Sequence, residues 1–416
     1  MIGARLSAKK TISVGLRNLS SFKDSDVVVV SFARTPIGKL GGALASKSAP
    51  QLGSIAIQEA IKRAGIEKDL IEEVILGNVV SAGVGQAPTR QAVLGAGMKL
   101  DTVCTTINKV CASGMKSLMF SALSIGSGYR QAMLAGGMES MSNIPYYLLQ
   151  ARTGYRLGNG ALIDGLVHDG LWDVYNNQHM GSCGDSCASK QNISREEQDN
   201  FAINSYKRAA EAWANGSIAN EVVPVVIEGK KGNVTVEKDE EYTNVQLDKL
   251  KTLRPAFGKT GTVTAANASK LNDGAAAFVV TSGKFARDHN LKPLFKIRGF
   301  GDAARDPVEF TIAPADAVPR AAKHAGVSMS DIQYHEINEA FSVVALANAK
   351  LMNLDLERVN VHGGAVALGH PIGCSGARIV GSLYSVLKAK DATIGAASIC
   401  NGGGGASAII IERLNQ

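Results

Sequence analysis

The chain has 416 residues, enough for two or three domains at about 150 residues each, and its 45% hydrophobic and 19% charged composition is that of a globular protein, not a disordered or coiled-coil one. No apolar run approaches the roughly 18 residues that cross a bilayer, which excludes a helical membrane protein. The net charge of +7 sits mostly at one end: residues 1–23 carry Arg5, Lys9, Lys10, Arg17 and Lys23 and no acid, leaving 39 basic against 37 acidic residues in the remainder, a balance that argues against nucleic acid as a partner.

The basic leader also holds serines, with Ile12, Leu16 and Leu19 at helical spacing, the composition of a mitochondrial presequence. The presequence is favoured over a frayed basic tail, and a secretory signal would need an apolar core that the leader lacks. Six cysteines (Cys104, Cys111, Cys183, Cys187, Cys374 and Cys400) are too few for a disulfide framework in so long a chain, so reduced thiols are expected. Cys183 and Cys187 share a face if their segment is helical, and His179 is near, but no second Cys or His cluster completes a tetrahedral site. They read as passive thiols.

Behind the leader, strand-like and helix-like segments alternate. Residues 27–31 read as a buried strand closed by Arg34-Thr35-Pro36, and 51–63 as a helix ended by Gly65. Residues 74–77 follow as a strand, 113–126 as a helix, and 132–135 as a strand running into Gly136-Gly137. Such alternation predicts an α/β fold with a largely parallel, buried sheet. From 138 to 260 the segments lengthen and become polar, with one clear helix at 195–214 and a charged stretch at 237–251, so this region reads as an insertion. Alternation resumes with strands at 275–280, 294–297 and 334–337, helices at 340–351 and 375–387, and strands at 393–399 and 408–411.

The last third repeats the first. Val110-Cys111-Ala112-Ser113-Gly114-Met115-Lys116 aligns with Ile372-Gly373-Cys374-Ser375-Gly376-Ala377-Arg378, and both helices open Ser-Gly-apolar-basic. Asn78 lies 33 residues before Cys111, Asn338 lies 35 before Gly373, and each helix leads to a strand ending in glycines. Two similar α/β halves with different active groups are expected.

Cys111 stands at the start of the 113–126 helix, where free N–H groups and the helix dipole favour an anion and would lower a thiol's pKa. The second half offers Asn338, at a strand-to-helix junction, His370, in Gly369-His370-Pro371, and Cys400, which ends a strand before Gly402 to Gly405. Parallel sheets present functional groups at such strand ends and helix starts. Taken singly, His370 reads as a core histidine and the glycines as a tight hairpin. Gly403-x-Gly405-x-x-Ala408 mimics a dinucleotide fingerprint, but a strand follows where a helix is needed.

From Val27 to Glu412 the chain resembles the thiolase family. Val110 to Lys116 is similar to its nucleophile motif, Asn338-Glu339-Ala340-Phe341 to its Asn-Glu-Ala-Phe motif, Gly369-His370-Pro371 to its Gly-His-Pro motif, and Cys400-Asn401-Gly402-Gly403-Gly404 to its second cysteine motif. His179-Met180-Gly181 and the segment 264–271 resemble the short-chain members that act on acetoacetyl-CoA, the mitochondrial ones in particular.

The resemblance implies two duplicated βαβαβαββ halves in a layered α-β-α-β-α arrangement with an inserted loop domain. Residues 24–137 with 261–281 would form the first half, 282–416 the second, and 138–260 the cover for coenzyme A. It implies reversible cleavage of acetoacetyl-CoA to acetyl-CoA. Cys111 would be the nucleophile, His370 its activator, Cys400 the group moving the α-proton, and Asn338 with His370 the enolate-oxygen site. The N–H groups of Cys111 and Gly402 would form a second oxyanion hole, with Gly402 free of a Cβ so that substrate can approach.

Coenzyme A contacts carry over to His179, Tyr206 and Ser269, and a potassium site to Tyr206, Ala265, Ala266, Ala268 and Val366. The resemblance also implies a homo-oligomer, a tetramer, in the mitochondrial matrix. A longer-chain 3-ketoacyl-CoA thiolase shares the catalytic motifs, and a non-catalytic acyl-CoA-binding paralogue would share only the fold. Three places depart from the family pattern: Gly184-Asp185-Ser186 after His-Met-Gly, the shortened 242–251 segment with Asn244 near an expected arginine, and Thr311 where a proline follows Phe310.

Overall fold

The computed structural model describes residues 21–414. The basic leader, apart from 21–23, lies outside the described residues. One large sheet contains β1 (Val27–Arg34), β2 (Glu73–Gly77), β3 (Val103–Ile107), β4 (Ala132–Ser140), β5 (Asn272–Ser282), β6 (Phe295–Ala304), β7 (Tyr334–Ile337), β8 (Ile394–Asn401) and β9 (Gly405–Arg413). Their order is β7-β8-β9-β6-β1-β5-β4-β2-β3. The helices of eight or more residues are α1 (Ala49–Ala64), α2 (Pro88–Gly95), α3 (Ser113–Gly126), α4 (Met180–Gln191), α5 (Arg195–Ala214), α6 (Pro314–Ala325), α7 (Ser342–Leu351) and α8 (Ile372–Ala389).

The largely parallel sheet expected from the alternation is corrected to a mixed one. Only β2–β3, β2–β4 and β7–β8 run parallel, while β1–β5, β5–β4, β1–β6, β6–β9 and β8–β9 are antiparallel. A helical crossover returns the chain parallel, but a direct turn such as Asn401 to Gly405 between β8 and β9 must reverse it. The repeat is visible in the topology, where β2, β4, β5 and β1 correspond to β7, β8, β9 and β6. The halves join where β1 meets β6 through Val28↔Lys296 and Val29↔Phe295. The counterpart of β3 is reduced to a parallel bridge, His335↔Val359.

The layers follow from which faces are apolar. Leu52 and Ile57 of α1 pack on Val74, Leu134 and Val279, covering the first half's sheet. Ala317 and Ala321 of α6 pack on Ala406 and Ile410, covering the second's. Between the sheet's two halves lie α3 and α8, with Met115, Leu118, Leu383 and Leu387 buried among Phe278, Ile399 and Ile411. Truncating one such leucine would cost about 2–5 kcal/mol.

The two central helices touch through their opening glycines. A Cβ on Gly114 would lie 2.8 Å from the Ala377 nitrogen, and one on Gly376 would lie 2.6 Å from that of Met115. Either substitution forces the halves apart, because the obstacle is backbone. Above the sheet, the 138–260 segment supplies α4 and α5 and is tied to the end of β1 by Arg34, which pairs with Glu221 at 2.9 Å and Asp239 at 2.8 Å in a buried setting.

Candidate active site

Cys111 sits in the turn between β3 and α3, where the chain strains to present it. Val110 has φ +46°, a left-handed conformation in which a β-branched side chain is an outlier. Local bonds hold the turn: Asn108 Oδ1 accepts the Val110 N–H at 2.9 Å, and Ser113 Oγ accepts that of Lys109 at 2.8 Å while donating to Val110 O at 2.6 Å. The second half anchors it further, since Lys109 Nζ donates to Asp302 at 2.9 Å and Ser407 at 2.9 Å.

The half-buried thiol faces the backbone N–H groups of Gly402 and of Cys111 itself, yet burial pushes it up to about 11, with the Glu139 charge adding to the rise. The expected lowering by the helix start is thus outweighed. Desolvation of a thiolate costs more than two N–H groups and a dipole return. Cys400, on β8, is fully buried and raised well above its usual value, first by burial and then by the neighbouring Cys111 thiol. The two thiols come from opposite halves of the repeat.

His370 and Asn338 form a second pair. Asn338 Nδ2 stands 3.4 Å from His370 Nε2, and Asn338 Oδ1 accepts from Arg378 Nη2 at 3.5 Å. His370 Nδ1 lies 2.6 Å from Ser375 Oγ, whose own hydroxyl donates to Pro371 O at 3.0 Å. With the serine proton on Pro371 O and with Asn338 Nδ2 able only to donate toward Nε2, the ring is assigned the tautomer that carries its proton on Nδ1 and leaves Nε2 as a lone pair. Burial, with Arg378 nearby, pulls the imidazole down to about 3, so it is neutral at working pH.

The glycine run also meets a demand of the turn itself. A Cβ on Gly402 would meet only ordinary contacts, Val110 Cγ1 at 3.5 Å and Met180 Cε at 3.6 Å. The demand falls on Gly403 and Gly404, with φ of +82° and +91°, and a Cβ on Gly404 would lie 2.2 Å from Arg305 O. The hairpin reading holds for the run.

On the cover side, His179 caps α4, its Nδ1 accepting the Gly181 N–H at 3.0 Å. Its ring stacks on Phe257 at 4.6 Å, and Phe257 meets Phe341 edge-on at 6.3 Å. The motif phenylalanine thus connects to the cover helix. Asp185, from the departing Gly184-Asp185-Ser186, accepts the N–H groups of Thr262 at 2.7 Å and Val263 at 2.9 Å. A Cβ on Gly184 would press Val263 Cγ2 at 3.2 Å, so the departure packs α4 closely.

The loop from Thr264 to Ser269 is clipped to the Asn-Glu-Ala-Phe segment: the Ser269 N–H donates to Ala340 O at 3.0 Å and the Ser342 N–H to Asn267 O at 2.8 Å. Tyr206, Ala266 and Val366 share one buried cluster. Lys270 Nζ donates to Ala268 O at 2.8 Å and to Tyr206 Oη at 3.1 Å.

Two buried carboxylates, to which the motifs assign no role, complete the site. Buried Glu139 accepts from Val79 N at 2.9 Å, Asn78 Nδ2 at 2.9 Å and Gly373 N at 3.0 Å, joining the loop after β2 to the start of α8. Burial pushes its carboxyl up to about 8 against those donors. Glu339 accepts from Ser205 Oγ at 2.8 Å, Asn360 Nδ2 at 2.9 Å and Val366 N at 3.0 Å, steadying the segment that leads to His370. Among the described residues, no group of three or more His, Cys, Asp or Glu side chains converges as a metal site.

Residues 27–284 match the N-terminal domain of thiolase and 291–413 its C-terminal domain. The chain belongs to the thiolase family. It is 56% identical over 392 residues to the mitochondrial acetyl-CoA acetyltransferase of Rattus norvegicus, covering 94% of this chain and 92% of the relative. It is 53% identical over 390 residues to a cytosolic acetyl-CoA acetyltransferase of Gibberella zeae, covering 93% and 98%. Among solved thiolases, the Acat5 thiolase of Ascaris suum in complex with coenzyme A superposes with a TM-score of 0.88 at 45% identity, covering 94% of this chain and all of that one.

Proposed function

We infer that the protein is an acetyl-CoA C-acetyltransferase that cleaves acetoacetyl-CoA with coenzyme A to two acetyl-CoA, and forms it in reverse. The observation that carries this reading is the convergence of two thiols from opposite halves, Cys111 and Cys400, beside the backbone N–H of Gly402.

His370 Nε2, held unprotonated by Ser375, takes the Cys111 proton. The thiolate attacks the 3-keto carbon, and the N–H groups of Cys111 and Gly402 receive the developing oxyanion. The bond between C2 and C3 then breaks, leaving acetyl-Cys111 and the enolate of acetyl-CoA. Asn338, through a water, and the newly protonated His370 stabilise the enolate oxygen, and Cys400 delivers the proton to carbon. Coenzyme A thiol, losing its proton to Cys400, then takes the acetyl group from Cys111. Burial raises Cys400 well above an ordinary thiol, so it starts protonated and ready to give its proton to carbon, and the coenzyme A thiol then replaces that proton. His179, Tyr206 and Ser269 are proposed to contact coenzyme A.

Potassium is left out of this reading, because Lys270 Nζ already occupies two of its expected oxygens. A mitochondrial matrix location is proposed on the cationic leader of 1–23. A homotetramer is proposed on two apolar surfaces. Tyr146, Leu149, Val174 and Tyr175 are each more than half exposed, and β3 lies at the sheet's outer edge with Val103 45% exposed.

The test is kcat/KM on acetoacetyl-CoA and 3-ketooctanoyl-CoA. A strong preference for the short substrate is expected. Equal values would give the longer-chain activity, and no turnover of either would leave an acyl-CoA-binding protein.

A further inference from the structure

The ligands that the family resemblance assigns to potassium are oxygens of Tyr206, Ala265, Ala266, Ala268 and Val366. Two of them are taken. Lys270 Nζ donates to Ala268 O at 2.8 Å and to Tyr206 Oη at 3.1 Å, and it lies 5.8 Å from the Tyr206 ring centroid. Tyr206, Glu241, Ala265, Ala266 and Lys270 line a single cleft of about 280 Å³, in which Glu241 is the carboxylate facing the ammonium. Lys270 directly follows Ser269, whose N–H is fixed to Ala340 O, so the backbone that carries the ammonium cannot drift from the loop.

A potassium ion at the same oxygens would sit within a few ångströms of this ammonium, and like charges at that distance in a half-buried cleft repel strongly. The residues present do not fit a free potassium ion. We propose that Lys270 supplies the monovalent cation from within the chain. Its ammonium braces the loop of Ala265 to Ser269 that the dissolved ion is expected to brace, and the protein needs no potassium. Only the coenzyme A arm of the following test rests on the proposed function; the thermal arm reads the cation site alone.

Tm and the Kd for coenzyme A are measured for the wild type and for Lys270→Gly and Lys270→Met in KCl, NaCl and choline chloride at equal ionic strength. The wild type should respond identically to the three salts. Lys270→Gly, which vacates the oxygens, should lose Tm and bind coenzyme A about tenfold more weakly in choline, as expected for a lost charged hydrogen-bond donor, and KCl should restore both. Lys270→Met, whose neutral stem fills the space, should be weakened and stay so in every salt.

A wild type whose Tm rises in KCl above NaCl and choline would overturn the proposal. So would a Lys270→Gly protein that matches the wild type in choline, or one that is weakened and not restored by KCl. If neither variant folds, the wild-type comparison decides alone. If coenzyme A fails to bind the wild type while the thermal arms behave as expected, the proposed function fails and the internal cation stands.

Discussion

His370 Nδ1 lies 2.6 Å from a serine hydroxyl, that of Ser375, which has already committed its proton to Pro371 O. This bond decides which imidazole nitrogen can act as a base. Ser375→Ala frees the ring to take the other tautomer. Its kcat should fall by roughly 10- to 100-fold with KM nearly unchanged, since the substrate's binding groups are elsewhere. An equal change in KM and kcat would mean that Ser375 supports the fold and not the tautomer.

The two thiols should separate by task. Cys400→Ser should still accept acetyl on Cys111 from acetoacetyl-CoA, seen by mass spectrometry after quenching, while losing deuterium exchange at the α-carbon of acetyl-CoA. Cys111→Ala should lose turnover by about four orders of magnitude, the scale for removing a covalent nucleophile. Unchanged exchange in Cys400→Ser would assign the base elsewhere.

With the Cys111 thiol at about 11 in the free protein, its alkylation by iodoacetamide should climb about tenfold per pH unit between pH 8 and 10, following the thiolate fraction. A plateau from pH 8 would show a thiolate–imidazolium pair already formed before substrate arrives.

His335, on β7, is buried with an unpartnered Nδ1, and burial pulls it down to about 4. Its folded pKa lies below the unfolded value of about 6.5. Its contribution to stability is therefore complete above pH 6.5 and is lost as pH falls through about 4, up to about 3 kcal/mol. In His335→Gln, Tm should fall less steeply than in the wild type between pH 6.5 and 4.

Thr311 is buried against Cys187, and its carbonyl accepts from Asn348 Nδ2 at 2.8 Å. Cys187 and Phe310 share the cluster that contains Cys400, so position 311 backs the acyl end of the site. Proline there would fix its own φ and restrict Phe310. The expected result is efficient cleavage of acetoacetyl-CoA and a kcat/KM for 2-methylacetoacetyl-CoA lower by up to about 10- to 200-fold, with Thr311→Pro narrowing the gap. Equal values unaffected by the mutation would remove position 311 from substrate choice.

Much of this was legible in the chain and some was not, for definable reasons. The 195–214 helix falls on its predicted bounds because Ser194 and Glu197 form a capping box that fixes its start. The 113–126 helix does so as well. Helix α6 is masked because Pro319 interrupts its pattern, and β3 because Thr105 and Thr106 blur its alternation. Cys111, Asn338, His370 and Cys400 are visible through their motifs. Glu139, Ser375 and Lys270 are not, since their effect depends on which backbone atoms they reach. The sign of the Cys111 shift was also beyond the sequence, because burial competes with the helix start and only the fold sets how much water is lost.

In the Ser-Gly pairs near the starts of α3 and α8 the glycines bring the helices together, and the serines do something else. Ser113 and Ser375 occupy the same place in the duplicated unit, and each donates back to the turn before its helix, to Val110 O and Pro371 O. What each then accepts differs: a main-chain N–H from Lys109 in one copy, an imidazole N–H from His370 in the other. One inherited hydroxyl thus sets the posture of the nucleophile in the first copy and the proton position of its base in the second. The division of labour between the halves comes from exchanging what the shared serine holds.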